Sequence, residues 1–220
     1  MNDDCWLKKE CNHIDCDKFC MRKYKLGYLY DQANLSMSQR EKIILNVTDA
    51  RDMKAFETLQ HFEESIVENV KEGFNIFIHS TSCGNGKTSW AIRLAQTYLN
   101  KVWSKSGLVC RVLFINVPRF LLELKRNIEE KSEYVAHIKN NVLDCDLVIW
   151  DEVGTKDLTS FEHENILSLI NARLDSGKSN IYTSNLNKID LQQSVGERLY
   201  SRIVNLSYDV ELFGPDMRGK

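Results

Sequence analysis

The sequence predicts an α/β fold in which a parallel sheet is covered by helices. From residue 73 onward, short apolar runs alternate with segments of helical periodicity, which is the pattern of successive strand–helix units. A glycine-rich segment at residues 83–88 separates the first apolar run from the first helical pattern. A later apolar run ends in the acidic pair Asp151-Glu152. These observations together favour a sheet that carries its polar residues at one edge.

Each element follows from its own local pattern. Strands are predicted at residues 74–79, 111–116, 146–150 and 180–183, where apolar and β-branched residues are concentrated. Helices are predicted at residues 87–102, 118–130, 133–142, 161–174 and 195–205. Pro118 fits the start of a helix, because the first helical turn does not use the N–H that proline lacks.

The chain divides into three predicted parts. Residues 1–30 contain four of the seven cysteines and are predicted to form a cysteine-rich, metal-binding module. Residues 31–72 are predicted to form a helical connector, and residues 73–220 the α/β core. A length of 220 residues suits one domain of this kind with a small appendage.

Composition excludes several classes of function. The formal net charge is −2, so nucleic acid could be bound only by a local basic patch. No apolar run approaches the roughly 20 residues of a membrane span, and the N-terminus lacks an apolar signal core. We therefore expect no membrane association and a cytoplasmic location, where cysteines are thiols or metal ligands more often than disulfides.

The glycine-rich segment has the composition of a phosphate-binding loop. Gly84 and Gly86 can adopt backbone angles that turn successive N–H groups inward, and the helix N-terminus that follows attracts anions. Lys87 would reach the β- and γ-phosphates of ATP, and the Thr88 hydroxyl would ligate Mg²⁺. The remaining predicted nucleotide contacts are Cys83, Asn85 and Ser89. The alternative is a glycine-rich turn with a solvated lysine.

One position departs from the usual G-x-x-x-x-G-K-[ST] pattern. Thr81 occupies the place of the first glycine. The substitution affects the turn that enters the loop, while residues 84–88 still supply the anion cradle.

Two further groups follow predicted strands. Asp151 would hold the Mg²⁺ ion and Glu152 would orient the attacking water, because acidic residues at the end of a neighbouring strand meet the phosphates there. Asn185 or Ser184, in the segment Thr183-Ser184-Asn185, would hydrogen-bond the γ-phosphate or the water. The alternatives are exposed acids that close a strand, and an ordinary turn asparagine.

The N-terminal cysteines have a spacing compatible with a metal. Cys5, Cys11, Cys16 and Cys20 follow the pattern C-x5-C-x4-C-x3-C, and four thiolates can enclose one tetrahedral Zn²⁺. His13 is an alternative ligand, and an iron–sulfur cluster or free thiols are alternative interpretations. The stretch 18–30 then interleaves basic and aromatic residues, which suits packing or a protein partner and also single-stranded nucleic acid.

The core resembles the bacterial and phage replicative-helicase loaders of the DnaC/DnaI type, and it is similar to the IstB transposition helpers. The resemblance covers about residues 50–218 and is carried by motifs at residues 147–154, 161–162, 171–174, 182–186 and 196–203. It implies an AAA+ P-loop ATPase with a parallel central sheet flanked by helices and a minimal C-terminal lid, preceded by a small N-terminal zinc-binding module.

The resemblance also implies roles that the residues alone do not give. Such ATPases form homo-oligomers on binding ATP and deliver a DnaB-type ring helicase onto single-stranded DNA, and the N-terminal module docks onto the helicase. Arg202 matches the arginine that completes the ATP site of the next subunit, and Arg218 is similar to the sensor-two arginine. The helix that carries Arg119, Lys125 and Arg126 would face DNA, with a solvated helix face as the alternative.

Three functions stay open at this point. The first is an ATP-dependent helicase loader in DNA replication, for which short length and minimal lid favour a phage or mobile-element origin. The second is an IstB-like transposition helper, which does not typically begin with a cysteine cluster. The third is a nucleotide-gated adaptor with little hydrolysis, for which Thr81 is the motivation.

Overall fold

The computed structural model describes residues 5–7, 11, 19–155 and 157–217. The N-terminal part consists of helices α1 (Met21–Gln32), α2 (Met53–Glu64) and α3 (Ile66–Lys71), with short 3-10 turns at Met37–Gln39 and Ala50–Asp52. The strands are β1 (Asn75–His79), β2 (Val112–Asn116), β3 (Leu147–Asp151), β4 (Ser179–Ser184) and β5 (Tyr208–Glu211). Between and after them run α4 (Lys87–Val102), α5 (Val117–Arg126), α6 (Glu133–Asn141), α7 (Ser160–Asp175) and α8 (Lys188–Ile203).

All strand pairs in the sheet are parallel, in the order β2-β3-β4-β1-β5. The predicted parallel sheet flanked by helices is therefore confirmed. Four strands lie within one residue of their predicted bounds. The fifth, β5, was not predicted, because only Val210 of its four residues is buried and the apolar signal is correspondingly weak.

The sheet has a hydrophobic layer on each face. Ile76, Ile78 and Ile149 pack against one layer, which includes residues of helices α1 to α4. Phe77 and Val148, which alternate with these residues along β1 and β3, pack against a second layer that includes residues of helices α5 to α8. This alternation is the consequence of strand geometry, in which successive side chains point to opposite faces.

The helix α1 covers the outer edge of β2. Its inner residues Leu26, Leu29 and Tyr30 are buried, and the Phe114 N–H donates to the Ala33 carbonyl at 2.8 Å. The predicted boundary between residues 30 and 31 falls inside this helix. Tyr24 is exposed on its outer side, so the aromatic residues of stretch 18–30 divide between the core and the surface.

Two predicted helices differ in their bounds. The helix predicted at residues 118–130 ends at Arg126. The helix predicted at 195–205 starts earlier, at Lys188, and contains a break at Gly196, where φ is 77° and ψ is 159°. These angles are open to glycine and strained for other residues, which explains why the helical periodicity is interrupted at this point.

Candidate nucleotide site

The loop between β1 and α4 has the backbone of an anion cradle. Gly84 and Gly86 have φ of 66° and 102°, and Gly86 is the N-cap of α4. Thr81 is absent from the residues with positive φ, among which Asn34 and Glu152 are the non-glycines of the described chain. The threonine at the first glycine position of the motif therefore introduces no backbone strain.

Lys87 lies inside the loop to which it belongs. Its side chain is buried, and Nζ donates to the Ser82 carbonyl at 2.6 Å and to Asn85 Oδ1 at 3.0 Å. Phosphate oxygens are acceptors of the same kind and carry more charge, so they can replace these two partners.

Hydroxyl and carboxylate oxygens meet where α4 begins and β3 ends. One oxygen of Asp151, Oδ1, accepts from Thr88 Oγ1 at 2.8 Å and from Thr183 Oγ1 at 2.7 Å. Oxygen donors of this type suit Mg²⁺, which is held in proteins by one or two carboxylates and completed by substrate phosphates and water. Asp151 and Thr88 therefore form a donor set that fits the predicted metal.

Burial shifts the pKa of Asp151. The side chain is 4% exposed, and this burial raises the pKa of the carboxyl group above its ordinary value, although hydrogen bonds from Thr183 and Thr88 act in the opposite direction. A bound divalent cation would favour the ionised form and remove the conflict.

Glu152 is held in an unusual conformation by two partners. It has a φ of 62°, in the left-handed region that few non-glycine residues adopt. Its N–H donates to Thr183 Oγ1 at 3.0 Å, and its Oε2 accepts from Asn116 Nδ2 at 3.0 Å. Such strain is typical of functional sites, where surrounding contacts fix the residue.

An open cavity of about 210 Å³ collects most of the predicted residues. It is lined by Gly84, Asn85, Gly86, Lys87, Thr88, Ser89, Glu152, Thr183 and Asn185. Asp151 lies beneath it, bonded to Thr88 and Thr183. Cys83 and Arg202 are exposed and do not line the cavity, and Arg218 lies outside the described residues.

Two residues of the site were missed as functional positions. Thr183 is predicted as the last residue of a strand and has no predicted role, yet its hydroxyl connects both acidic residues. Asn116 was noted only as the end of a strand. It pairs with Asp151 in the register of β2 and β3, so its sequence signal was a polar residue closing a strand next to the acidic one.

The three predicted DNA-facing cations have partners within the chain. The Arg119 guanidinium lies 4.3 Å from the centre of the Tyr134 ring. Lys125 pairs with the buried Glu162 at 3.2 Å, and Arg126 pairs with Glu123 at 3.4 Å.

The described cysteines do not form a metal site. Cys5, Cys11 and Cys20 are free, and no three His, Cys, Asp or Glu side chains of the described residues could hold an ion together. Cys20 caps α1, accepting the Lys23 N–H at 3.5 Å. Cys16 and His13 lie outside the described residues. None of the described helices has the length and apolar character of a membrane span.

One known protein family matches most of the chain. The profile of a family described as IstB-like ATP binding protein matches residues 26–218. No curated protein sequence matches the chain.

Solved structures provide a second comparison. The DnaC helicase loader is similar with a TM-score of 0.64 and 20% identity, over 81% of this chain and 100% of that chain. A putative primosome component from Streptococcus pyogenes serotype M3 gives 0.65 and 19%, over 87% and 98%. DnaI gives 0.62 and 19%, over 86% and 93%. At these identities the likeness concerns the fold.

Proposed function

The chain belongs to the IstB-like ATP binding protein family, and from this premise we propose that it is an ATP-dependent loader of a replicative helicase. It would deliver a DnaB-type ring helicase onto single-stranded DNA. The observation that carries this proposal is the fold shared with the DnaC helicase loader along the whole of that chain. The cavity at the end of the sheet supplies the nucleotide chemistry that such a function needs.

The first half of the proposed chemistry is binding. The N–H groups of residues 84–88 and the Lys87 ammonium would hold the phosphates of ATP, with Cys83 and Ser89 beside them. Thr88 and Asp151 would hold Mg²⁺, which neutralises charge on the phosphate oxygens when bound. Arg218, in the C-terminal segment of the chain, would also contact the nucleotide.

The second half is hydrolysis. Glu152 would orient the attacking water while Asn116 fixes its carboxylate, and Asn185 at the rim of the cavity would hydrogen-bond the γ-phosphate or that water. Arg202 is exposed on α8 and does not line the cavity of its own chain. Its position is compatible with a role in the site of an adjacent copy, where a guanidinium would stabilise charge on the transferred phosphoryl group.

DNA binding requires a local surface. Arg119, Lys125 and Arg126 already have intramolecular partners, so each would have to share or exchange a contact to bind a phosphate. We keep single-stranded DNA as a proposed partner, with a salt-dependent affinity as its expected signature.

Zinc in the N-terminal segment rests on the cysteine spacing. Cys5, Cys11, Cys16 and Cys20 are the proposed ligands, and the segment they would fold is the proposed docking module for the helicase. The expected finding is one zinc per chain by metal analysis, lost in Cys11→Ser. Full zinc content in that variant would exclude this ligand set.

A second candidate function is favoured by the family itself. The chain resembles the IstB transposition helpers, and in that role it would assemble on duplex DNA in the presence of ATP. This alternative shares the cavity chemistry and differs in the partner.

Native mass spectrometry separates the two. The purified chain is mixed with a DnaB-type helicase, with and without Mg·ATP, and separately with duplex DNA. A stoichiometric complex with the helicase supports the loader. Absence of that complex, combined with ATP-dependent assembly on duplex DNA, supports the transposition helper and contradicts the loader.

A further inference from the structure

We infer that Asp52, which does not line the nucleotide cavity, positions the phosphate cradle through the C-terminal residues 212–217, here termed the tail. The inference rests on the proposed ATP site and adds a positioning residue to it. Neither Asp52 nor the tail was part of the predicted site. Their connection is visible only in the structure, because they are about 160 residues apart in sequence.

Asp52 is a buried carboxylate whose two oxygens are both used by the tail backbone. The side chain is 2% exposed. Oδ1 accepts the Phe213 N–H at 2.6 Å, and Oδ2 accepts the Gly214 N–H at 3.0 Å. Hydrogen bonds to an ionised acceptor are about twice as strong as neutral ones. This pair of bonds therefore anchors the tail to the segment that precedes α2.

The tail is closely packed against Asp52 and Thr48 at Gly214. A Cβ atom at Gly214 would lie 2.9 Å from Thr48 Oγ1 and 3.0 Å from Asp52 Oδ2. Arg51, next to the carboxylate, places its guanidinium 5.0 Å from the centre of the Phe213 ring. Phe213 is thus held by both a backbone and a side-chain contact, and Gly214 by a backbone contact.

The anchored tail makes two hydrogen bonds to the cradle. Asn85 Nδ2 donates to the Leu212 carbonyl at 3.3 Å, and the Met217 N–H donates to the Gly84 carbonyl at 3.0 Å. Asn85 also accepts from Lys87 through Oδ1. The tail therefore contacts two adjacent residues of the cradle, the Gly84 carbonyl and the Asn85 side chain.

The bond to Gly84 fixes the direction of a phosphate-binding group. No described peptide bond is cis, and in a trans peptide the C=O and the following N–H point in opposite directions. Because Met217 holds the Gly84 carbonyl toward the tail, the Asn85 N–H on the same peptide plane points away from the tail. That is the orientation in which an N–H of this loop can bind a phosphate oxygen.

A backbone test isolates this bond. Met217→Pro removes the N–H, whereas the matched control Met217→Ala keeps it and removes the side chain. We expect Met217→Pro to weaken Mg·ATP binding about tenfold, which is 1.4 kcal/mol, and Met217→Ala to remain within about twofold of the wild type. Isothermal titration calorimetry measures both affinities, and a thermal melt checks the fold.

A side-chain test addresses the anchor. Asp52→Asn keeps the shape and removes one acceptor, and Asp49→Asn is its control. Asp49 caps the same turn and pairs with the Arg51 guanidinium, and an asparagine Oδ1 can still accept the Arg51 N–H and Nε–H that orient this side chain. We expect weaker binding in Asp52→Asn alone. Asp52→Asn should weaken the binding of magnesium tripolyphosphate, which lacks the adenosine, by the same factor as the binding of Mg·ATP. A defect on the adenine side of the site would weaken the binding of ATP alone.

Three outcomes overturn the inference. The first is equal affinity of Met217→Pro and Met217→Ala for Mg·ATP, and the second is equal affinity of Asp52→Asn and Asp49→Asn. The third is a loss of affinity for ATP that magnesium tripolyphosphate does not share. If the wild type binds neither ligand, the proposed function fails, and amide hydrogen exchange then tests the anchor by itself. Faster exchange of the Met217 amide in Asp52→Asn, with Asp49→Asn unchanged, supports the anchor, and equal exchange in both contradicts it.

Discussion

At Asp151, a single buried carboxylate oxygen accepts hydrogen bonds from two hydroxyl groups, those of Thr88 and Thr183. Without a cation, burial raises the pKa of this group in the folded protein. The folded chain therefore holds the Asp151 proton to higher pH than the unfolded chain does. This contribution to the free energy of unfolding decreases as pH rises from the ordinary aspartate pKa, about 3.9, through the raised folded value, and is constant above it.

We expect Asp151→Asn to raise the melting temperature of the nucleotide-free protein. The amide oxygen can still accept both hydroxyls, while the buried charge is removed. The difference from wild type should grow with pH across the same interval, and each kcal/mol corresponds to about 2–4 °C for a chain of this size.

Mg·ATP should reverse the order of the two melting temperatures, so that the wild type melts above Asp151→Asn. At about 100 times its dissociation constant, a ligand stabilises the state it binds by about 2.7 kcal/mol, and we expect Mg·ATP to stabilise the wild type but not Asp151→Asn. Differential scanning fluorimetry from about pH 4 to about pH 8, which starts at the ordinary aspartate pKa, measures both effects. A variant that melts below wild type without ligand would contradict the assignment of the buried charge.

The sequence predicted which residues lie close together where a motif has a fixed spacing. Residues 84–89 and Glu152 meet in the cavity because a glycine-rich loop and an acidic strand end must lie at the same edge of a parallel sheet. The hydrogen bonds of Thr183, Asn116 and Asp52 are made with residues of other elements. Their roles depend on strand register and on the path of the tail, which no local pattern encodes.

At the scale of elements, the turn after β3 is packed against α8. Gly154 has a φ of 83°, and a Cβ atom there would lie 2.5 Å from Leu191 Cδ1 and 3.1 Å from Leu186 Cδ1. Ser194 Oγ donates to the Gly154 carbonyl at 3.0 Å. The segment that carries Glu152 is thus fitted to the helix that carries Arg202.

We expect Gly154→Ala to cost about 1–3 kcal/mol of stability, since it combines overpacking with a strained backbone. It should also lower ATP turnover by displacing Glu152. Gly107→Ala is the control, because Gly107 has a φ of 62° and open space around its Cβ position. Urea unfolding and turnover assays compare the two. Equal effects would show that backbone strain, and not the contact with α8, dominates.

Element bounds were predictable where an element is buried and regular. The four predicted strands are central or well covered, whereas β5 is an edge strand with one buried residue. The break in α8 depends on the positive φ of Gly196, and glycine in a sequence does not reveal which angle it adopts.

At the scale of the whole molecule, the proposed assembly joins the cavity of one chain to α8 of another. Arg202 and Arg198 are both exposed on α8, and only Arg202 is proposed to complete the adjacent site. Arg202→Ala should retain ATP affinity and reduce hydrolysis by about a thousandfold. Arg198→Ala, four residues away on the same helix, is the control.

Mixed assemblies sharpen this test. A chain with Arg202→Ala has an intact cavity, and a chain with Glu152→Gln can supply Arg202 to it. We expect a mixture of the two inactive variants to recover part of the hydrolysis. No recovery, in a mixture shown to assemble, would contradict an arginine that acts between chains.

We propose that this cavity binds and hydrolyses Mg·ATP. The most direct test compares the ATP turnover rate per chain of the wild type with that of Glu152→Gln, and nucleotide binding by both proteins is measured in parallel. We predict hydrolysis by the wild type in the presence of single-stranded DNA and helicase, and a loss of about 100-fold or more in Glu152→Gln with unchanged ATP affinity. Binding without turnover in the wild type would instead indicate a nucleotide-gated adaptor. Equal turnover in the two proteins would contradict the site itself.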